Sequence, residues 1–303
     1  MLSSVSSQNK LRFLDPEILS RISSLELLAR TVVEGFVSGL HKSPYKGFSV
    51  EFMEYRQYTP GDDPKHLDWK LYARTDRLFV KEFEDETNTT CHLLLDTSCS
   101  MGYSSGKMNK LEYASYLTAT LAYFMVRQRD SVGLCLFDDK VTKLIPPRST
   151  TGHLHSILTT LENTASGAKT NMGKPFHEIA ESLKRRGIII IVTDCLDDIE
   201  AIINGLKHLV FRGNEVILFH ILDPSEDDFG FKDVVELEDM ETGEKMLVAG
   251  KTAHEIYQNN LKKFKERMHV ECGMLGIDYN QFLTNKPLDF ALLQYLAARS
   301  RMT

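Results

Sequence analysis

Nowhere in its 303 residues does the sequence approach the roughly 20 uninterrupted apolar residues that a membrane-crossing helix needs. Runs such as Leu121 to Val126 and Ile188 to Val192 are far too short, and the second leads directly into Thr193 and Asp194. Met1 to Leu14 is polar and Ser-rich and lacks the apolar core of a signal peptide, so a cytoplasmic location is the expectation. The five cysteines, Cys91, Cys99, Cys135, Cys195 and Cys272, are odd in number and never spaced Cys-x-x-Cys. That argues against a disulfide framework or a zinc site and leaves reduced thiols, mostly small core residues. Positive charge is not in excess: 36 Lys and Arg stand against 42 Asp and Glu, a net charge of -6, so nothing draws the chain generally to nucleic acid or anionic lipid. There is one tryptophan, Trp69, best read as core packing.

What is present is an ordinary globular composition, 42% apolar and 26% charged, arranged in alternating strand and helix patterns. Residues 15–40 read as a helix with Ile18, Ile22, Leu25, Leu28 and Val32 near one face. Phe48, Val50 and Phe52 alternate as a strand does, Thr59 to Pro64 is a turn, and Leu78 to Phe83 is a second strand-like run. This first part, residues 1–88, is a helix plus a small β unit, too small to be expected to fold without the rest.

From 89 to 303 the alternation is regular. Strands are expected at Cys91 to Leu95, Ser131 to Phe137, Val141 to Ile145, Ile188 to Val192, Glu215 to Ile221 and Ile277 to Phe282. Helices are expected around Leu117, Leu158, Ile179, Ile203, Phe264 and Leu292, with Thr252 and Glu255 as a capping box for the fifth. Such alternation implies an α/β fold with a mostly parallel, doubly wound sheet.

Open sheets of this kind bind ligands outside the carboxyl ends of their strands, where strand order reverses. Two strands end in aspartate, at Asp96 and Asp194, and they meet there if the order is 3-2-1-4-5-6. Asp96 opens the run Asp96-Thr97-Ser98-Cys99-Ser100, which puts three oxygen side chains at alternate positions of one loop. A hard cation such as Mg2+ takes about six oxygens, and two hydroxyls, a threonine and two carboxylates nearly fill that shell. The bland reading is a polar loop that caps the next helix.

Met101-Gly102 after the run, Lys169-Thr170-Asn171 further on and Val192-Thr193-Asp194 at a strand end complete a constellation. It resembles the metal-ion-dependent adhesion site of von Willebrand factor type A domains. The resemblance implies that Ser98, Ser100 and Thr170 coordinate Mg2+ or Mn2+, with Asp96 and Asp194 acting chiefly through water. The family more often has Gly-Gly-Thr where this chain reads Ala168-Lys169-Thr170. The run Glu51 to Tyr58, then Gly61-Asp62-Asp63-Pro64, Asp68-Trp69-Lys70, Ala73-Arg74 and Val80 to Glu84, is similar to the bacterial family called domain of unknown function 58. In that family this block precedes a type A-like domain, and Lys65 stands where Arg is commoner. Membership implies work with a MoxR-type AAA+ ATPase in assembly or remodelling of client proteins. Arg56, Lys70, Arg74 and Lys81 either face an acidic partner or pair with Glu51, Glu54, Asp62, Asp63 and Asp68.

Phosphate loops fail on spacing: Gly102 to Lys107 has three residues between its glycines, and Gly167 to Lys174 has five. His177-Glu178 lacks the second histidine of a zinc-protease helix, since position 181 is Glu181. His153 and His155 are expected in solvent. The enzymatic rival is Mg2+-dependent phosphoryl transfer of the haloacid-dehalogenase kind at Asp96, with Asp194, Asp197 and Asp198 on the metal. It requires an acid two residues after the nucleophile, where Ser98 stands. The expectation is a non-catalytic, cation-dependent protein-interaction module whose metal keeps a water-exposed position for a partner's Asp or Glu.

Overall fold

Side chains alternate along a strand, so a sheet covered on both faces needs apolar residues at both parities. The computed structural model describes residues 24–40, 55–57, 72, 79–81, 89–167, 173–183, 186–228, 235–238, 245–248 and 250–302. Its main sheet is built from β3 (Thr90–Asp96), β4 (Ser131–Phe137), β5 (Val141–Arg148), β6 (Ile188–Thr193), β7 (Glu215–Leu222) and β10 (Asp278–Leu283). Two small antiparallel pairs stand apart: β1 (Tyr55–Gln57) with β2 (Phe79–Lys81), and β8 (Val235–Glu238) with β9 (Lys245–Val248). The second pair was not anticipated from the sequence.

Strand order in the main sheet is β5-β4-β3-β6-β7-β10, which is 3-2-1-4-5-6 in chain order, and only β5 runs antiparallel. The fold is therefore the expected α/β class, a mostly parallel doubly wound sheet. Isoleucines in β6 show how parity builds two cores. Ile188, Ile190 and Val192 face one helical layer, and Ile189 and Ile191 face the other. The first layer holds α1 (Leu25–Leu40), α2 (Lys110–Arg127), α3 (Thr151–Glu162) and α8 (Asp289–Met302); the second holds α4 (Gly173–Ser182), α5 (Ile199–Phe211) and α7 (Gly250–Met274).

Helix α1 buries Leu25, Leu28, Ala29, Val32, Val33 and Phe36, the i, i+3, i+4, i+7 stripe of an amphipathic helix. That stripe lies in the same core as α2, with Phe36 edge-on to Phe124 at 6.0 Å. The amide of Leu25 donates to Glu162 Oε1 at the end of α3, 3.1 Å away. On the other face α4 and α5 cross closely, because a Cβ on Gly205 would stand 2.8 Å from the Phe176 ring.

Two boundaries and one side chain differ from the sequence reading. Strand β5 continues through Pro146 and Pro147 to Arg148, since it lies at the sheet edge and its pairing with β4 is irregular between Val132 and Leu134, opposite these prolines. Helix α7 begins at Gly250, which places Thr252 inside its first turn and not at a cap. His153 is half-buried and its Nε2 donates to the Val132 carbonyl at 2.8 Å, while His155 is exposed as expected. Trp69, Lys70, Arg74 and Thr170 lie outside the described residues.

Candidate functional site

The switch point falls between β3 and β6, whose following connections leave toward opposite edges of the sheet. Asp96 ends β3, and Asp194 follows directly after β6. The chain leaves Asp96 through Thr97 and Ser98 into a single 3-10 turn, Cys99–Gly102. Thr97 pins this exit by donating through Oγ1 to the Phe137 carbonyl, 3.0 Å away at the end of β4. Ser98 Oγ and Ser100 Oγ lie 3.0 Å apart.

Both Asp96 oxygens are engaged: Oδ1 accepts from the Ser98 amide at 2.9 Å and Oδ2 from Thr193 Oγ1 at 2.6 Å. Asp96 and Thr193 share the strand parity of Leu94 and Ile191, so they meet on one side. Asp194, one residue on, turns to the α2 side, where its Oδ2 accepts from Lys110 Nζ at 2.8 Å. Its Oδ1 accepts from the Leu196 amide at 3.2 Å. Cys195 between them has φ +55°, a left-handed conformation uncommon for a residue with a side chain, and it turns the backbone back over the carboxylate.

Lys110 was not among the residues singled out from the sequence. It is fully buried at the first position of α2, and its ammonium also donates to Glu226 Oε1 at 2.6 Å. Glu226 belongs to the short helix α6 (Pro224–Asp228) after β7, and its Oε2 accepts from the Asp223 amide at 2.8 Å. The Tyr103 ring covers the ammonium, with its centroid 5.8 Å from Nζ. A legible signal did exist. Asn109 and Glu112 form a full capping box, which makes Lys110 a cation in the first turn, at the positive end of the helix dipole. A lysine placed there needs carboxylates from elsewhere.

Electrostatics follow from this burial. The Asp96 carboxyl is pushed up to about 7, first by desolvation and then by the neighbouring Asp194 charge, against the hydrogen bonds from Thr193 and Ser98. Burial alone would lower the Lys110 ammonium, but Asp194 and Glu226 outweigh it and the net direction is upward. Burial raises Glu226, with Lys110 opposing. His220, buried on β7 and bonded through Nδ1 to the Tyr279 hydroxyl at 2.7 Å, is held down to about 4 by desolvation and stays neutral. None of the five cysteines is in a disulfide, and four of them are buried.

The structure thus brings Asp96, Ser98, Ser100 and Asp194 to one end of the two central strands. One expectation is corrected. The sequence reading placed this cluster open to water, but Asp96, Ser98 and Asp194 are 0% exposed and Ser100 only 8%. Tyr103, Lys110 and the 194–196 turn pack around it, because fully buried carboxylates are tolerated only with such partners. Leu196, at 54% exposure, and the half-buried Cys99 form the rim. Beside it, a cavity of about 440 Å³ is lined by Thr97, Asp138, Thr142, Lys143, Thr160 and Asn163 among others.

Asp197 and Asp198 do not converge on Asp96. Asp198 caps α5 through the Ala201 amide at 3.1 Å, and Asp197 Oδ1 accepts from the Asp198 amide at 2.7 Å. Among the described residues no three His, Cys, Asp or Glu side chains are placed to hold a metal ion, so a cation here would depend on the serine hydroxyls. Oxygens bound about 2.0–2.1 Å from Mg2+ at neighbouring octahedral positions stand about 3 Å apart. The Ser98–Ser100 separation of 3.0 Å fits that edge, and each engaged carboxylate oxygen keeps a second lone pair.

A family model described as "Protein of unknown function DUF58" matches residues 54–267. The chain is 25% identical over 232 residues to an uncharacterized protein of Mycobacterium bovis, covering 76% of this chain and 73% of that protein. An uncharacterized protein of Mycobacterium tuberculosis gives the same values, 25% over 76% of this chain and 73% of its own length. Solved structures similar to it include the conserved hypothetical protein BatB from Bacteroides thetaiotaomicron, with TM-score 0.46 and 18% identity over 71% of this chain and 98% of that one. The SpRpn10 VWA domain is another, with TM-score 0.42 and 11% identity over 69% of this chain and 95% of that one.

Proposed function

The chain belongs to the family described as protein of unknown function DUF58, and from the site its sheet builds we propose that it is a non-catalytic protein-interaction module dependent on a divalent cation. The observation that carries this is the pairing of two buried aspartates with two serine hydroxyls 3.0 Å apart at the switch point. Ser98, Ser100 and Thr170 would hold Mg2+ or Mn2+, with Asp96 and Asp194 supporting it, and the bound ion would supply a positive charge for a partner's Asp or Glu. Without it, that carboxylate would meet Asp96 and Asp194 as like charges. The rim at Cys99 and Leu196 is where the partner would arrive.

A MoxR-type AAA+ ATPase, or a client that it remodels, is the partner we propose, on the family resemblance of the 51–84 block. A cytoplasmic location belongs to the same proposal; among the described residues no helix is long and apolar enough to cross a membrane. Phosphoryl transfer is disfavoured because Ser98 Oγ is bonded to Ser100 and offers no carboxylic acid, while Asp198 is committed to a helix cap.

The test is a pull-down with the full chain as bait, with Mg2+ or with chelator, read by mass spectrometry. Chelation, Ser98→Ala and Thr170→Ala should each weaken capture of the ATPase while circular dichroism stays unchanged. Equal capture in chelator and with Asp96→Ala would move the partner surface elsewhere.

A further inference from the structure

The Lys110 ammonium donates to Asp194 at 2.8 Å and to Glu226 at 2.6 Å, with no exposed surface of its own. A lysine so placed costs several kcal/mol of desolvation, and an ion pair of this kind is often no more stabilising than apolar packing. Its place inside the candidate site is therefore better explained by a role other than stability. The charges give one. Three carboxylates, Asp96, Asp194 and Glu226, converge on this end of the sheet, and one of them, Asp194, would also have to answer a metal.

We infer that Lys110 is a specificity-determining residue, a built-in counter-cation that holds Asp194 and Glu226 and so keeps the site's affinity for a free divalent cation low. This rests on the cation reading above. The ammonium donates to Asp194 Oδ2 and the Leu196 amide to Oδ1, so an arriving ion meets a carboxylate whose charge is already compensated. The ion also meets a fixed positive charge in a region where water does little screening. Negative charge then has to come from outside. A partner's carboxylate supplies it, and cation and partner become mutually dependent. The Asn109–Glu112 capping box fixes the start of α2, and the Tyr103 ring covers the Lys110 ammonium.

The experiment is isothermal titration of the full chain with Mn2+ alone, comparing the parent with Lys110→Met, Lys110→Arg and Glu226→Gln. Lys110→Met should bind Mn2+ at least about tenfold more tightly, and its melting temperature should rise more steeply with Mn2+ than the parent's. Lys110→Arg, which keeps the charge, should bind like the parent. Glu226→Gln leaves the ammonium to Asp194 alone and should bind more weakly. This arm still decides the question if Lys110→Met does not fold.

Equal or weaker binding by folded Lys110→Met, or unchanged binding by Glu226→Gln, overturns the inference. A parent that shows no binding beside a Lys110→Met protein that does would uphold the counter-cation, and the chelator pull-down then decides the cation reading. No binding by either protein sinks both.

Discussion

At the amino end of the sheet Asp130 is fully buried and accepts from the Thr89 amide at 3.2 Å and from the Tyr295 hydroxyl at 2.5 Å. Tyr295 in turn lies 3.6 Å from Cys91 Sγ and stacks edge-on to Phe124 at 6.0 Å. That aspartate ties α8 to the starts of β3 and β4. At the carboxyl end Asp96 is equally buried, but it stands beside a second carboxylate, which is itself held by a lysine. One end uses a buried carboxylate to fasten a helix. The other brings like charges together, at a cost to stability that a packed core alone has no reason to bear. Burial of an aspartate is therefore no sign of function; the company it keeps is.

The sharpest test crosses the two ends. Asp96→Ala should lose divalent-cation affinity by about 100-fold or more, because a carboxylate of the site is gone, while its melting temperature in chelator holds, since relief of burial and of the Asp194 repulsion offsets the Ser98 and Thr193 donors left unpaired. Asp130→Ala should do the reverse, keeping cation affinity within a factor of about two while losing about 3 kcal/mol of stability in urea titration, since buried donors are left unpaired. If both variants change the same property, the contrast between the ends is wrong.

Tyr295→Phe probes the amino end more gently. It removes one hydrogen bond to a charged group and should cost roughly 1.5–3 kcal/mol, read by the same titration, with no effect on cation binding.

Acidity separates the ends in another way. Asp96 has its folded pKa raised to about 7, above the ordinary value of 3.8. The folded state therefore holds a proton that the unfolded state releases, and stability from this group is present below 3.8 and lost as pH rises toward 7. Denaturation in chelator should show that decline, and Asp96→Asn should flatten it. Cation affinity should climb over the same interval, because the ion competes with the proton.

The smallest effect belongs to the rim. Leu196→Ser removes an apolar side chain that is 54% exposed and should leave stability within about 0.5 kcal/mol. A few-fold weaker partner capture, with cation affinity unchanged, would place the contact at this rim; unchanged capture would remove Leu196 from it.

By itself the sequence determined the layers and the place of the site. Period-two runs such as Ile188 to Val192 and stripes such as Leu154, Ile157, Leu158 and Leu161 are local patterns set by backbone geometry, so they can be read from a window of residues. Asp96, Ser98, Ser100 and Asp194 were legible because two similar strands both end in aspartate and one continues into a hydroxyl loop. Only the tertiary structure decided that Lys110 lies against Asp194, 84 positions away, with Glu226 as its second anion, 116 positions away. It alone decided that the cluster is covered rather than open, and that Asp198 caps a helix instead of joining the site. The physical reason is range. Hydrophobic periodicity is written in neighbours along the chain, whereas the partner of a buried charge is chosen by whichever distant element the fold brings within hydrogen-bond reach.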